Sequence, residues 1–208
     1  MATIALLQPR PRHPDWLALA PPGVTVLPVL ETDLTTHDPD WLTAVLVDMH
    51  IDQRLFAGHR PWIEAHLRAS GTIVFCGLLA YPFLPALGLF EPLPHRSRAA
   101  MEVTLAAPDH PVFNGVTAHD LSYRRGVVGF YGRGQVPPPA GASVLTQLSG
   151  GSVPLDWVWH LPGGGRIWMH PGNNLWMYSQ DETTAALLTP NLLHWAATPD
   201  MASREVTT

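Results

Sequence analysis

The sequence predicts an α/β domain built around a largely parallel sheet. Three observations predict it. Short apolar runs of strand length recur through the first half of the chain. One of them, Ala44-Val45-Leu46-Val47, is apolar without alternation, as a strand covered on both faces requires. Between it and the next apolar run, Thr72-Ile73-Val74-Phe75-Cys76, lies a segment with helical spacing, so strand, helix and strand follow one another as in a βαβ crossover.

The elements follow in order. Thr3-Ile4-Ala5-Leu6-Leu7 reads as the first strand, and Pro9, Pro11 and Pro14 then force a loop. Gly23-Val24-Thr25-Val26-Leu27 reads as the second strand by its β-branched content. Residues 44–47 form the third. Leu55, Trp62, Ile63, His66 and Leu67 share one side of a helix over 60–69, with Pro61 in its first turn and Gly71 just past its end. The Cys76 strand follows, and then a proline-broken helix through Leu84 and Leu87 that closes at Gly88. Beyond Met101 short strands are expected at 102–105, 127–131, 143–146, 153–159 and 166–169, separated by Gly and Pro. Residues 183–197 form the closing helix, with Leu187, Leu188, Leu192 and Trp195 as its apolar set. The expected organisation is one domain over 1–198 and a frayed tail over 199–208.

Composition narrows the function. Apolar residues make up 46% and charged residues 14%, which marks a globular chain. All 12 basic residues are arginines, so Schiff-base chemistry and a phosphate-loop lysine are excluded. A net charge of −5 argues against a nucleic-acid binder, which needs a basic face. One cysteine excludes an internal disulfide and a Cys-rich zinc site. No apolar run approaches the ~20 residues of a membrane span, and no signal-like start is present, so a soluble cytoplasmic protein without membrane or nucleic-acid partners is expected.

Several segments carry a family resemblance. Residues 67–75, a helix end followed by Ser70-Gly71 and a buried strand, resemble the entry to the site of class I glutamine amidotransferase-like proteins. His110-Pro111-Val112-Phe113-Asn114-Gly115-Val116 resembles a segment of their ThuA-like (trehalose-utilisation) branch. Gly164-Gly165-Arg166-Ile167-Trp168-Met169, with the helix ending in His194-Trp195-Ala196, resembles that group's close. The order of these segments, from about 3 to 197, carries the resemblance. It implies a flavodoxin-like three-layer sandwich with its site at the carboxyl ends of the strands. Working members have a Gly-x-Cys-x-Gly elbow and a His-x-Glu pair. Here Val74 and Leu78 stand at the elbow glycines and Gly172 at the glutamate, so the triad is degenerate.

The candidate residues lie at strand ends. Cys76 ends one strand as a possible nucleophile and His170 ends another as its base. Asp48, His50, Asp52 and Gln53 follow the third strand, Gly77 follows the cysteine, and Asn173 and Asn174 follow the histidine. These are the expected ligand-binding residues. His50, Asp52 and His170 have metal-ligand chemistry, but their spacing lends it no support, and neither a metal nor a cofactor is expected. The close-set Trp157, Trp159, Trp168 and Trp176 read as interlayer packing in preference to a sugar platform. The sequence therefore suggests a non-catalytic domain that binds a small polar ligand or a protein partner, its own copy included. The alternative is a hydrolase or amidotransferase that uses Cys76 and His170.

Overall fold

The structure is a computed structural model and describes residues 1–95 and 97–198. The expected frayed tail lies outside the described residues. The central sheet contains β1 (Ala2–Gln8), β2 (Val24–Leu30), β3 (Ala44–Val47), β4 (Thr72–Cys76), β5 (Ser143–Val144), β6 (Trp157–His160) and β7 (Arg166–His170). Its seven strands run in the order β5-β6-β7-β4-β3-β1-β2. β2, β1, β3, β4 and β7 are mutually parallel, while β6 and β5 continue one edge antiparallel.

β3, β4 and β7 are buried along their whole length, which explains the apolar character of β3 and of the centres of β4 and β7. Alternate residues feed two cores. Ile4, Leu46, Val74 and Trp168 face one core with Leu192 and Trp195 of the closing helix α4 (Leu188–Ala197). Ala5, Val47, Phe75 and Ile167 face the other core, with Phe56 of α1 (Gln53–Gly58) and Trp62, Ile63 and Leu67 of α2 (Arg60–Arg68). Helices therefore cover both faces. Asp52 caps α1 by accepting from the backbone N–H groups of Arg54 and Leu55, and Pro61 sits in the first turn of α2.

Several expectations need correction. The strand expected over 153–159 is divided, with Val153–Pro154 in a separate small sheet and Trp157–His160 in the main one, and of 127–131 only Val127–Val128 pairs, with Tyr123–Arg124. The helix through Leu84 and Leu87 does not form. Pro82 and Pro85 remove backbone donors, and the segment stays a chain of bends held by its apolar anchors Leu79, Phe83, Leu84 and Leu87. The strand expected over 143–146 is split at Leu145. Ser143 and Val144 join the main sheet, and Thr146–Leu148 pairs in a separate three-stranded sheet. The closing helix begins at Leu188, after a 3₁₀ turn over Thr184–Leu187.

Arg166 secures the far end of the sheet. It is buried at the start of β7. Its Nε donates to Thr72 Oγ1 at 2.9 Å, and its Nη2 donates to the carbonyls of Trp195 and Thr198 at 2.7 and 2.6 Å. The Trp195 carbonyl, which also accepts from the Thr198 N–H, and the Thr198 carbonyl lie at the C-terminal end of α4, where a cation is favoured. The guanidinium also lies 4.0 Å over the Trp195 ring. We expect Arg166→Ala to lower unfolding free energy by about 2–4 kcal/mol, because it removes the guanidinium bonds to Thr72, Trp195 and Thr198 and its packing on the Trp195 ring. Urea unfolding measures this, and an unchanged midpoint would refute it.

His110 lies in the segment that carried part of the family resemblance. Its Nδ1 accepts from the Val112 backbone N–H, and its ring packs against Trp168 and Trp195. Burial, reinforced by the Arg166 charge, lowers its pKa from 6.5 to about 4. The unfolded chain therefore binds the proton first, and stability present above pH 6.5 is lost as the pH falls towards 4. His110→Asn keeps a capping oxygen, and it should flatten the loss over that interval in denaturant titrations at successive pH values. A slope identical to the parent's would contradict this assignment.

Candidate functional site

The carboxyl ends of β3, β4 and β7 lie side by side. In the β4–β7 register Cys76 is opposite His170, so the two residues that the sequence paired do sit on neighbouring strands. Both side chains are 0% exposed. Cys76 belongs to the core that contains Val74 and Trp168, so it faces the interior of the sheet sandwich and not the rim. Burial pushes its thiol pKa far above the ordinary range, despite a hydrogen bond from the Leu175 backbone N–H. A buried neutral thiol is inert, because the thiolate is the nucleophile.

His170 has a partner that sequence reasoning did not find. Its Nδ1 lies 2.6 Å from Asp156 Oδ1 and donates to it. Asp156 Oδ2 accepts from the Tyr131 hydroxyl at 2.7 Å and from Thr146 Oγ1 at 2.5 Å. The Asp156 backbone N–H returns a bond to Thr146 Oγ1 at 3.0 Å. The Tyr131 ring stands edge-on to the imidazole, 4.7 Å between centroids. Burial and the neighbouring carboxylate raise the Tyr131 pKa, so the phenol stays protonated and donates. The only sequence signal for Asp156 was a lone acidic residue within the apolar run 153–159. Tyr131 gave none.

With Nδ1 bonded to the carboxylate, Nε2 is buried and has no hydrogen-bond partner among the described residues. Gly172 closes over it. A Cβ at Gly172 would overlap the Tyr131 carbonyl oxygen and lie 2.5 Å from Nε2, so only glycine fits there. A glutamate at that position is therefore excluded by space, and Asp156 orients the imidazole in its place. Gly77 adopts φ +119°, and a Cβ there would press on Met49.

Most of the predicted polar residues tie the rim loops together. Asp48 Oδ1 accepts from the His50 N–H at 2.8 Å, and Oδ2 accepts from Asn174 Nδ2 at 2.7 Å. Asn174 Oδ1 accepts from the Met49 N–H at 2.8 Å. Asp52 caps α1. Gln53 Oε1 accepts from Ala80 N and Tyr81 N, and its amide donates to the Leu78 carbonyl. Asn173 Nδ2 donates to the Phe130 carbonyl at 2.8 Å. His50 is exposed, while His170 is sealed below. Among the described residues no group of three or more His, Cys, Asp or Glu could hold a metal ion. Trp157, Trp168 and Trp176 are buried in the cores, and Trp159 is half-buried against one of them, in agreement with their packing role.

Above the sealed pair lies a cleft of about 560 Å³. His50, Gln53, Leu78, Phe130, Arg133 and Asn173 line it, with the glycine backbone at 77, 129, 132 and 172. Among the described residues no carboxylate lines it. Arg133 Nε donates to the Gly129 carbonyl at 2.8 Å, which anchors the guanidinium at the rim.

No family model and no curated protein matches the chain. Solved structures that resemble it include a β-galactosidase from Rahnella sp. R3, at 15% identity and a TM-score of 0.45, with 96% of this chain and 32% of that one covered. A GH42 β-galactosidase from G. stearothermophilus aligns at 13% identity and a TM-score of 0.47, over 96% of this chain and 31% of that one. The chain thus spans about a third of the length of the proteins it resembles. These findings overturn the resemblance to the ThuA-like branch of the glutamine amidotransferase-like proteins. The two structures named are β-galactosidases, and no family model places the chain in that branch. At such low identity and TM-score they carry no activity over to this chain.

We expect Asp156→Ala to cost about 3 kcal/mol or more of stability, because it leaves a buried imidazole and two hydroxyls without their acceptor. Urea unfolding of the variant checks this, and a loss below about 1 kcal/mol would show that the network is not holding the site.

Proposed function

We propose that this protein is a non-catalytic binding domain that takes a small polar ligand in the cleft over β3, β4 and β7. One observation carries this reading. The residues with catalytic chemistry, Cys76 and His170, are fully buried, while an open cleft with polar and aromatic walls lies directly above them. The order of the five parallel strands, β2-β1-β3-β4-β7, is that of flavodoxin-like sheets, in which ligands bind beyond the carboxyl ends of the strands. Arg133, His50 and Asn173 supply donors, and Phe130 and Leu78 supply apolar walls, a mixture suited to a small ligand with a polar end. Leu78 is 52% exposed and is available to close on a bound molecule.

A second reading, hydrolysis through Cys76, draws support from the Asp156–His170 pair, in which a carboxyl group orients the imidazole as it does beside a general base. It requires the thiol to become uncovered.

Two measurements on the native protein separate these readings. The first is alkylation of Cys76 by iodoacetamide beside hydrolysis of a small activated ester. The binding reading expects modification no faster than unfolding and no turnover. Rapid alkylation with turnover abolished by Cys76→Ala would replace it with the second reading. The second measurement follows backbone amide resonances during titration with small sugars, amino acids and carboxylates. Shifts confined to Gly77, Leu78, 129–133 and 172–173, and weakened about tenfold by Arg133→Ala, are expected. No response at these amides to any of the compounds would overturn binding in the cleft.

A further inference from the structure

A second cavity, of about 360 Å³, lies beside the cleft and meets it at His50. It is lined by Gln8, Pro9, Arg10, Arg12, Asp48 and His50. Its position follows from the topology. From β1 the chain crosses to β2 on one side, and β3 then returns to the other side of β1. The loops that leave the carboxyl ends of β1 and β3 therefore diverge and open a crevice between them. In open α/β sheets this switch point is where ligands bind.

The charge in the crevice is the second, independent observation. The chain has a net charge of −5, yet two of its 12 arginines converge on this one cavity. Neither Arg10 nor Arg12 forms an ion pair among the described residues, and the side chain of neither has a hydrogen-bond partner there. Asp48, the one carboxylate in the lining, is already occupied on both oxygens, by the His50 N–H and by Asn174 Nδ2. It leaves the arginines unneutralised by contact. The loop that presents them is stiff. Pro9, Pro11 and Pro14 restrict its backbone, and Gln8 Nε2 donates to the Arg12 carbonyl at 2.9 Å. Two guanidinium forks held on a restrained loop match the oxygens of a doubly charged tetrahedral anion.

We infer that the switch-point cavity binds the phosphate group of a small phosphorylated molecule through Arg10 and Arg12, with His50 at its mouth. This site shares His50 and the loop after β3 with the cleft, but Arg10, Arg12 and the loop after β1 belong to it alone, so the two readings are tested separately.

The test is calorimetric titration of the full chain with inorganic phosphate and, separately, with citrate, at low and at raised ionic strength. Phosphate is expected to bind the parent protein and to weaken as salt is added. The double variant Arg10→Ala/Arg12→Ala should lose about tenfold or more in affinity. Arg68→Ala, with its charge on α2 remote from the crevice, should bind as the parent does. Circular dichroism of the double variant confirms that it is folded, as expected for two exposed side chains. No binding of phosphate to the parent, equal affinity in the double variant, equal loss in Arg68→Ala, or binding of citrate in preference to phosphate would each overturn the assignment. None of these outcomes bears on the amide shifts at Gly77, Leu78 and Arg133 that test the cleft.

Discussion

The buried carboxylate of Asp156 is the constraint on which the carboxyl edge of this protein depends. It accepts from His170 at the end of β7, from Tyr131 in the long segment between β4 and β5, and from Thr146 in the small sheet. Three parts of the chain that share no strand pairing with one another are thereby brought to one point. A carboxyl group this deep is tolerated because the donors around it are aimed at it. The imidazole gains a fixed tautomer from the same bond, and the phenol of Tyr131 is held edge-on against it.

This arrangement has a chemical consequence. A histidine with a carboxylate on Nδ1, next to a cysteine on the adjacent strand, has the parts of a nucleophilic site. What differs is access. Gly172 and the Tyr131 carbonyl lie over Nε2, and the thiol faces the core beneath the sheet. Burial raises the pKa of the thiol and so opposes the ionised form that attack would need. The same packing that stabilises the network thus withdraws it from solvent, and the polar surface open to a ligand is the layer above.

That layer is assembled largely by hydrogen bonds between loops. Asp48, Asn174, Gln53 and Asn173 connect the segments after β3, β4 and β7 to each other and to Phe130. Their bonds fix the walls of two adjoining cavities. The positive charge at this edge comes from Arg133, Arg10 and Arg12, which the loops hold apart on either side of His50. An acidic chain with a locally basic edge draws small anions towards that edge.

The sequence by itself determined the elements whose pattern is local. Unbroken apolar runs marked β3 and β4, helical spacing with Pro61 and Gly71 marked α2, and the pairing of Cys76 with His170 could be expected because each ends a buried strand. Tertiary structure alone decided the rest. The segment through Leu84 reads as helical by its leucines, but two prolines deny it backbone bonds, and anchoring in the core takes their place. Asp48, Asp52 and Gln53 were expected to bind a ligand; the structure shows them capping α1 and tying loops, because a carboxylate or amide near free backbone N–H groups bonds to them, while Gln53 and Asp48 also line the two cavities. Asp156 and Tyr131 left almost no mark in the sequence, since their partners lie 14 and 25 residues away and meet only when the sheets close. Whether Cys76 is a nucleophile or a packing residue depends on what covers it, and that cover is built from distant segments whose approach no local pattern encodes.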